Sequence, residues 1–324
     1  MLNLPWNLLG LAVLSGLGLV LVSMPMFLRW AKGHGWGQEV RQEGPQAHLS
    51  KAGTPTMGGI VLILAGLLAG FWAPNCWEVW VFRFTVLACA GLGCVDDASK
   101  LLKHRSLGLK ARHKLAFLGI LGLGLFVWLC LTRSSFALTL PYFGEVHSFW
   151  LLLIVTLLLT SGTVNAVNLT DGLDGLAGGT CFSALTAFSV IAGCSGHTEL
   201  CVAAAAMAGA CVGFLWFNVF PARVFMGDTG SLGLGGALAV LALASSCEFL
   251  LIFIGGVFVM EALSVILQVS YFKLTGGKRI FRMSPIHHHF ELGGLHEVQV
   301  TARFIIVSVI LALLGVMFYL GVWP

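Results

Sequence analysis

Long apolar runs, each broken by a short polar or basic stretch, recur from one end of this chain to the other. A helix needs roughly 20 predominantly apolar residues to cross a bilayer. Runs of that order lie near 5–28, 56–74, 79–95, 113–132, 148–164, 176–194, 199–217, 230–247, 249–272 and 303–323. The pattern predicts an all-α polytopic membrane protein of about ten transmembrane helices, because an open sheet would leave backbone groups unpaired in lipid. No soluble segment, low-complexity tract or short-period repeat interrupts the runs, so residues 1–324 are expected to form a single integral-membrane domain. Gly255 and Gly256 fall inside the ninth run, where they permit a bend.

Composition agrees with the pattern: 58% of residues are hydrophobic and 10% charged, against about 25% charged in an ordinary soluble domain. Charge placement adds an orientation, because basic loops stay on the cytoplasmic side. Arg29, Lys32, Arg41 and Lys51 fall in one such loop, Lys100, Lys103, Arg105, Lys110, Arg112 and Lys114 in the next, then Arg223, then Lys273, Lys278, Arg279, Arg282 and Arg303. The intervening loops hold only Arg83 and Arg133. Both termini are therefore expected on the outer, periplasmic or extracellular, side. Residues 1–28 carry no Lys or Arg and run on for a full span, which fits a first transmembrane helix better than a cleaved signal. The net charge of +4 belongs to the basic rim and gives no reason to expect a nucleic-acid partner. The nine cysteines form no C-x-x-C pair, and several sit within spans, as small buried apolar residues do.

The chemistry is concentrated on one face. All five aspartates map there: Asp96 and Asp97 at the end of the third run, Asp171 and Asp174 in "NAVNLTDGLDGLAGG" (165–179), and Asp228 in "VFMGDTGSLGLGG" (224–236). Helix capping explains one such aspartate, but three separate glycine-flanked loops ask for more. Clustered carboxylates repel one another unless a cation compensates. Short oxygen ligands beside glycine turns suit magnesium, which usually takes one or two carboxylates together with phosphate oxygens. Carboxylates, Mg²⁺ and glycine-rich helix starts suit a diphosphate, although no G-x-x-x-x-G-K-[ST] loop is present.

Other polar positions supply cations and donors. In "HLSKAGTPTMGG" (48–59), Lys51 precedes a Pro-containing turn with Thr54 and Thr56. Lys100 lies four residues after Asp96 and three after Asp97, so a continuing helix puts all three on one face. The rest of the run from Lys100 to Lys114 reads mainly as a topology signal. "SPIHHHFE" (284–291) holds His287, His288 and His289; adjacent residues cannot easily all reach one metal ion, so phosphate or sugar hydrogen bonding, with proton transfer, is the preferred reading. Glu261 and Gln268, seven residues apart, share a helical face within the ninth run. An intramembrane carboxylate marks a functional position, with a structural Glu261 the open alternative.

Together "KAGTPTMGG" (51–59), "DDASK" (96–100), "NAVNLTDGLDGLAGG" (165–179), "FNVFPARVFMGDTGSLGLGG" (217–236) and "SPIHHHFE" (284–291) resemble the polyprenyl-phosphate N-acetylhexosamine-1-phosphate transferases. Within that superfamily, "GTPTMGG" and "SPIHHHFE" resemble the phospho-N-acetylmuramoyl-pentapeptide transferase branch rather than the N-acetylglucosamine-1-phosphate branch. The resemblance implies a ten-helix enzyme of the bacterial cytoplasmic (inner) membrane, usually a homodimer among membrane lipids, with its site facing the cytoplasm. It implies transfer of phospho-N-acetylmuramoyl-pentapeptide from UDP-MurNAc-pentapeptide to undecaprenyl phosphate, giving lipid I and UMP, with Mg²⁺ as cofactor. Carried onto this sequence, Asp96, Asp97, Asp228, His287, His288 and His289 are catalytic, with Asp228 the metal ligand. Lys51, Thr56, Lys100, Asn168, Asp171, Asp174, Asn218, Phe225, Gly227 and Gln268 are then substrate-binding.

Two other readings compete. An N-acetylglucosamine-1-phosphate transferase would use the same kind of site with a different sugar. An ion-coupled transporter or flippase would place its polar residues near the bilayer midplane and in related halves, whereas here the motifs lie at one interface without an evident repeat.

Overall fold

A computed structural model describes residues 5–37, 51, 53–102, 108–140 and 144–322. Arg41, Lys103 and Arg105 of the basic loops lie outside the described residues. The helices, in order, are α1 (Trp6–Gly33), α2 (Gly59–Ala69), α3 (Trp77–Leu102), α4 (Ala111–Thr132), α5 (Phe149–Thr170), α6 (Leu176–Cys194), α7 (Thr198–Asn218), α8 (Gly227–Ala244), α9 (Leu250–Ile254), α10 (Gly256–Leu274), α11 (Ile286–Glu291) and α12 (Glu297–Val322). Among the described residues, nine of them are long and apolar enough to cross a membrane. The chain is an all-α, multi-span membrane protein.

Two of the ten expected spans take a different form. The second is short: α2 and a single 3-10 turn cover Gly59–Trp72, about 21 Å at 1.5 Å per residue, against a hydrocarbon core of about 30 Å. Residues 56–58, counted as apolar span in the sequence, instead lie outside the helix and pair with Phe225: Pro55 O accepts from Phe225 N at 2.8 Å and Gly58 N donates to Phe225 O at 2.9 Å. The ninth span is broken, as its glycines allowed, with α9 ending at Ile254 and α10 starting at Gly256. A small antiparallel hairpin, β1 (Ala137–Leu140) with β2 (Gly144–His147), joins α4 to α5 and pairs Leu138 with Val146. No alternation in the sequence had pointed to it.

Helices α6, α7 and α8 form the centre and bury most of their surface, whereas α1, α10 and α12 leave most of theirs at the periphery. The central helices pack closely because they are built from small residues. A Cβ on Gly209 of α7 would lie 2.2 Å from Val13 O of α1, so only glycine permits that approach. Several buried threonines are satisfied within their own helices: Thr156, Thr160, Thr170 and Thr180 each donate to the carbonyl four residues earlier. The densest cluster of charged side chains among the described residues lies at one end of α8.

Candidate active site

Helix α3 continues to Leu102, so Asp96, Asp97 and Lys100 stand on its last turns, as their spacing predicted. Helix α8 begins directly on them. A Cβ on Gly93 would meet Asp228 O at 2.2 Å, so the absent side chain lets the first turn of α8 lie against α3. Asp97 then caps α8 from outside: Oδ1 accepts from Asp228 N at 3.1 Å, and Oδ2 accepts from Thr229 N and Thr229 Oγ1, both at 2.9 Å. These donors are the otherwise unpaired amides of a helix start, and the carboxylate's charge opposes the helix dipole. Gly227 sits at φ +73°, the left-handed region, with no side chain to strike Asp97.

With α8 fixed in this way, Asp228 projects over Asp96. Lys100 Nζ lies 2.7 Å from Asp96 Oδ2, 3.1 Å from Asp228 Oδ1 and 3.7 Å from Asp97 Oδ1. Lys114 Nζ, from the first turn of α4, lies 2.6 Å from Asp228 Oδ2 and 3.1 Å from Asp96 Oδ1. Asn168 Nδ2 donates to Asp228 Oδ1 at 3.1 Å and to Ser231 Oγ at 2.9 Å. Leu109 N donates to Asp96 Oδ1 at 2.6 Å. Three carboxylates thus share two ammonium groups, leaving negative charge for a further cation.

One oxygen from each of Asp96, Asp97 and Asp228 lies within 4.8 Å of the others. This all-oxygen set fits a hard dication such as Mg²⁺. Asp97 is committed to α8, so Asp228 and Asp96, whose oxygens now face ammonium groups, are the residues able to hold one. At the end of α5, Asp171 faces the same excess of charge. Burial, then repulsion from Asp228 and Asp97, pushes its carboxyl up to about 8, with Lys100 opposing the rise.

A second network lies beside the first. Lys51 Nζ meets Asp174 Oδ1 at 2.7 Å and Glu297 Oε1 at 2.5 Å. Glu297 Oε1 also accepts from Asp174 N at 2.8 Å, and Asp174 Oδ2 accepts from Ala222 N at 2.9 Å. Asn218 Oδ1 accepts from Gly175 N while its Nδ2 donates to Val224 O. Lys51, Asp174 and Asn218 therefore set the loops that flank half-buried Phe225 and buried Thr56.

The histidine run divides three ways instead of forming one site. His287 is fully buried with Nδ1 3.1 Å from Glu261 Oε1, His288 Nδ1 pairs with Glu291 Oε2 at 2.7 Å, and His289 Nδ1 accepts from Arg282 N at 3.1 Å. Successive positions on a helical turn point in different directions, so a shared catalytic role for all three does not follow from their adjacency. Gln268 is also tied down, its Oε1 accepting from Ile280 N and Phe281 N.

Two residues of these networks escaped the sequence reading. Lys114 was hidden in a basic run that topology alone explains, 18 positions from Asp96. Glu297 stands in the first turn of α12, where an acidic residue reads as a partner for the helix dipole.

Comparison with known proteins settles the family. The glycosyl transferase family 4 pattern matches residues 79–246 and thus takes in Asp96, Asp97, Asp171, Asp174 and Asp228. The first phospho-N-acetylmuramoyl-pentapeptide-transferase signature matches residues 51–63. A phospho-N-acetylmuramoyl-pentapeptide-transferase of Shouchella clausii is 42% identical over 98% of both chains. The chain belongs to this family. Relatives of the same name include one from Geobacillus thermodenitrificans, 41% identical over 99% of this chain and 100% of its own. Another, from Kineococcus radiotolerans, is 44% identical over 94% and 95%. The first signature of this transferase family begins at Lys51 and holds Thr56 and Gly59, the stretch that pairs with Phe225 and Met226 and so joins the two networks.

Proposed function

We propose that this protein transfers phospho-N-acetylmuramoyl-pentapeptide from its UDP carrier to undecaprenyl phosphate, giving lipid I and UMP. The observation that carries the reading is the cluster of Asp96, Asp97 and Asp228 with Lys100 and Lys114 at one end of α3, α4 and α8. A lipid phosphate sits at headgroup depth, so a site shared with a soluble nucleotide belongs at a membrane interface. The excess of basic residues in the loops of that face supports a cytoplasmic orientation, in the bacterial inner membrane. A homodimer and a single catalytic domain over 1–324 complete the proposal.

In the reaction an oxygen of the lipid phosphate attacks the sugar-bearing phosphorus, and the bond from that phosphorus to the oxygen of UMP breaks. One phosphoanhydride replaces another, so no outside energy source is required. The protein's task is positioning and neutralising charge. Lys100 and Lys114 meet the phosphoryl oxygens, released from part of their carboxylate pairing as substrate enters. Bound by Asp228 with Asp96, Mg²⁺ would supply charge neutralisation of the diphosphate.

A phosphate monoester has its second pKa near 6, so little deprotonation is required. Asp96 orients the attacking phosphate and takes its residual proton, while Asp97 holds α8 in register and supports Lys100. Asn168 steadies Asp228. Lys51, Thr56, Asp171, Asp174, Asn218, Phe225 and Gly227 form the nucleotide end, with Phe225 stacking on uracil. His288, His289 and Gln268 shape the sugar end.

The test supplies purified protein in detergent with undecaprenyl phosphate, Mg²⁺ and either UDP-MurNAc-pentapeptide or UDP-N-acetylglucosamine, and measures UMP. Release from the first alone is expected. Release only from the second assigns the other branch, and none from either overturns the transferase reading.

A further inference from the structure

Glu261 and His287 stand apart from both charge networks, yet they are the most deeply buried ionisable pair at this end of the molecule. Glu261 lies within the membrane-spanning α10 and His287 in the first turn of α11, with side chains 0% and 1% exposed. Their contact is Nδ1 to Oε1 at 3.1 Å, and none of the four polar atoms makes an aligned hydrogen bond. Burying a carboxylate this deeply is costly. Among the described residues the imidazole is its one ion-pairing partner, so what Glu261 does, it does through His287.

The other edge of that ring points at the nucleotide loop. A Cβ on Gly172 would lie 2.3 Å from His287 Nε2 and 2.7 Å from Cε1, so the ring is seated directly against the Gly172 backbone. Gly172 follows Asp171 and precedes Asp174 by two residues. The same loop is held at its far end by Glu297 and by Thr301, whose hydroxyl donates to Asp174 O at 3.3 Å. Asp174 is thus gripped by α12, while Gly172 rests on a ring packed against His288, with centroids 4.1 Å apart, and held at Nδ1 by Glu261.

We propose that Glu261 is a positioning residue: it holds the His287 imidazole at Nδ1, and the Nε2 edge sets Gly172 and with it Asp171 and Asp174. Glu261 acts on the ring through this close Nδ1–Oε1 contact. His287 touches no substrate in this arrangement. The proposal rests on the transferase reading for its kinetic readout, but its binding readout stands independently.

The test uses the full chain in detergent with Mg²⁺, comparing wild type with Glu261→Gln, Glu261→Leu, His287→Leu and the Leu/Leu double variant. Calorimetry gives the Kd for UMP, and steady-state rates give KM for UDP-MurNAc-pentapeptide and for undecaprenyl phosphate separately. Glu261→Leu is expected to raise the UMP Kd and the nucleotide KM about tenfold, with the lipid KM within twofold. Glu261→Gln, whose amide oxygen can still face Nδ1, stays within threefold. The double variant is expected to be no worse than His287→Leu, because both act through one ring.

Multiplying losses in the double variant, an unchanged UMP Kd in Glu261→Leu, or an equal loss in Glu261→Gln would each overturn the proposal. Should the Leu variants fail to fold, Gly172→Ala decides: its methyl displaces the ring and should raise the UMP Kd tenfold, and an unchanged Kd overturns the idea. UMP binding without any turnover by wild type would instead count against the transferase reading.

Discussion

The two ends of α8 both hold buried charge, and they treat it differently. At its C-terminal end Arg133 meets Glu248 at 2.6 Å, donates to Ala137 O at 3.3 Å, and donates to Leu243 O. One cation answers one carboxylate, and the spare donors close the hairpin and the end of α8. At the N-terminal end three carboxylates share Lys100 and Lys114, and like charges are held together by backbone amides. Matched charge staples the fold. Surplus charge, held in place at structural expense, leaves room for a charged ligand.

Substitutions should separate these roles. Asp228→Asn keeps the shape of the site but removes the carboxylate best placed for a dication, so UMP release is expected to fall about 10³-fold. Its melting temperature should change only modestly, because the substitution relieves repulsion with Asp97 and Asp171 while giving up the pairs with Lys100 and Lys114. Normal turnover would break the assignment of surplus charge to catalysis.

Arg133→Met should do the reverse. It leaves Glu248, already raised by burial against the pull of Arg133, without its cation, at a cost of about 3 kcal/mol. Turnover per folded molecule should remain within about twofold. Adding Glu248→Leu should recover most of the lost stability, since a buried pair replaced by apolar groups is often close to neutral. If the single variant lost turnover while keeping its melting temperature, the division of labour between the two ends would be wrong.

Lys114→Met tests the residue that the sequence concealed. Loss of one of two ammonium groups at the phosphoryl site should slow UMP release about a hundredfold. Lys110→Met and Arg112→Met, exposed neighbours at the start of the same helix, should change it less than twofold.

Much of this was legible in the chain. Apolar runs located the helices, and five aspartates among so few charges located the site. Lys100 was readable because helical spacing links it to Asp96 and Asp97. Lys114 and Glu297 were not, because nothing local ties either to its distant carboxylate or lysine partner, and each had an ordinary surface explanation. Hydropathy likewise could not tell that residues 56–58 leave the helix to pair with Phe225, since apolar side chains suit either arrangement. Asp97 was correctly placed but its task was hidden: capping α8 depends on where α8 begins in space, which no pattern within α3 records.

The last test concerns Asp171, where the surplus charge reaches beyond the cluster. Its carboxyl is held up to about 8 in the fold, while in the unfolded chain it ionises in the ordinary range near 4. Between those values the folded state binds the extra proton, so stability contributed by the neutral carboxyl is fully present at low pH and is lost as pH rises towards 8. In metal-free protein, the melting temperature of Asp171→Asn should therefore match wild type at about pH 4–5, exceed it increasingly up to about pH 8, and keep a constant lead above that. Mg²⁺ bound at Asp228 would offset the repulsion that raises the group and should narrow the lead. A lead that does not change with pH would mean that Asp171 does not feel the excess negative charge at that end of α8, and the contrast between the two ends would shrink to the three aspartates themselves.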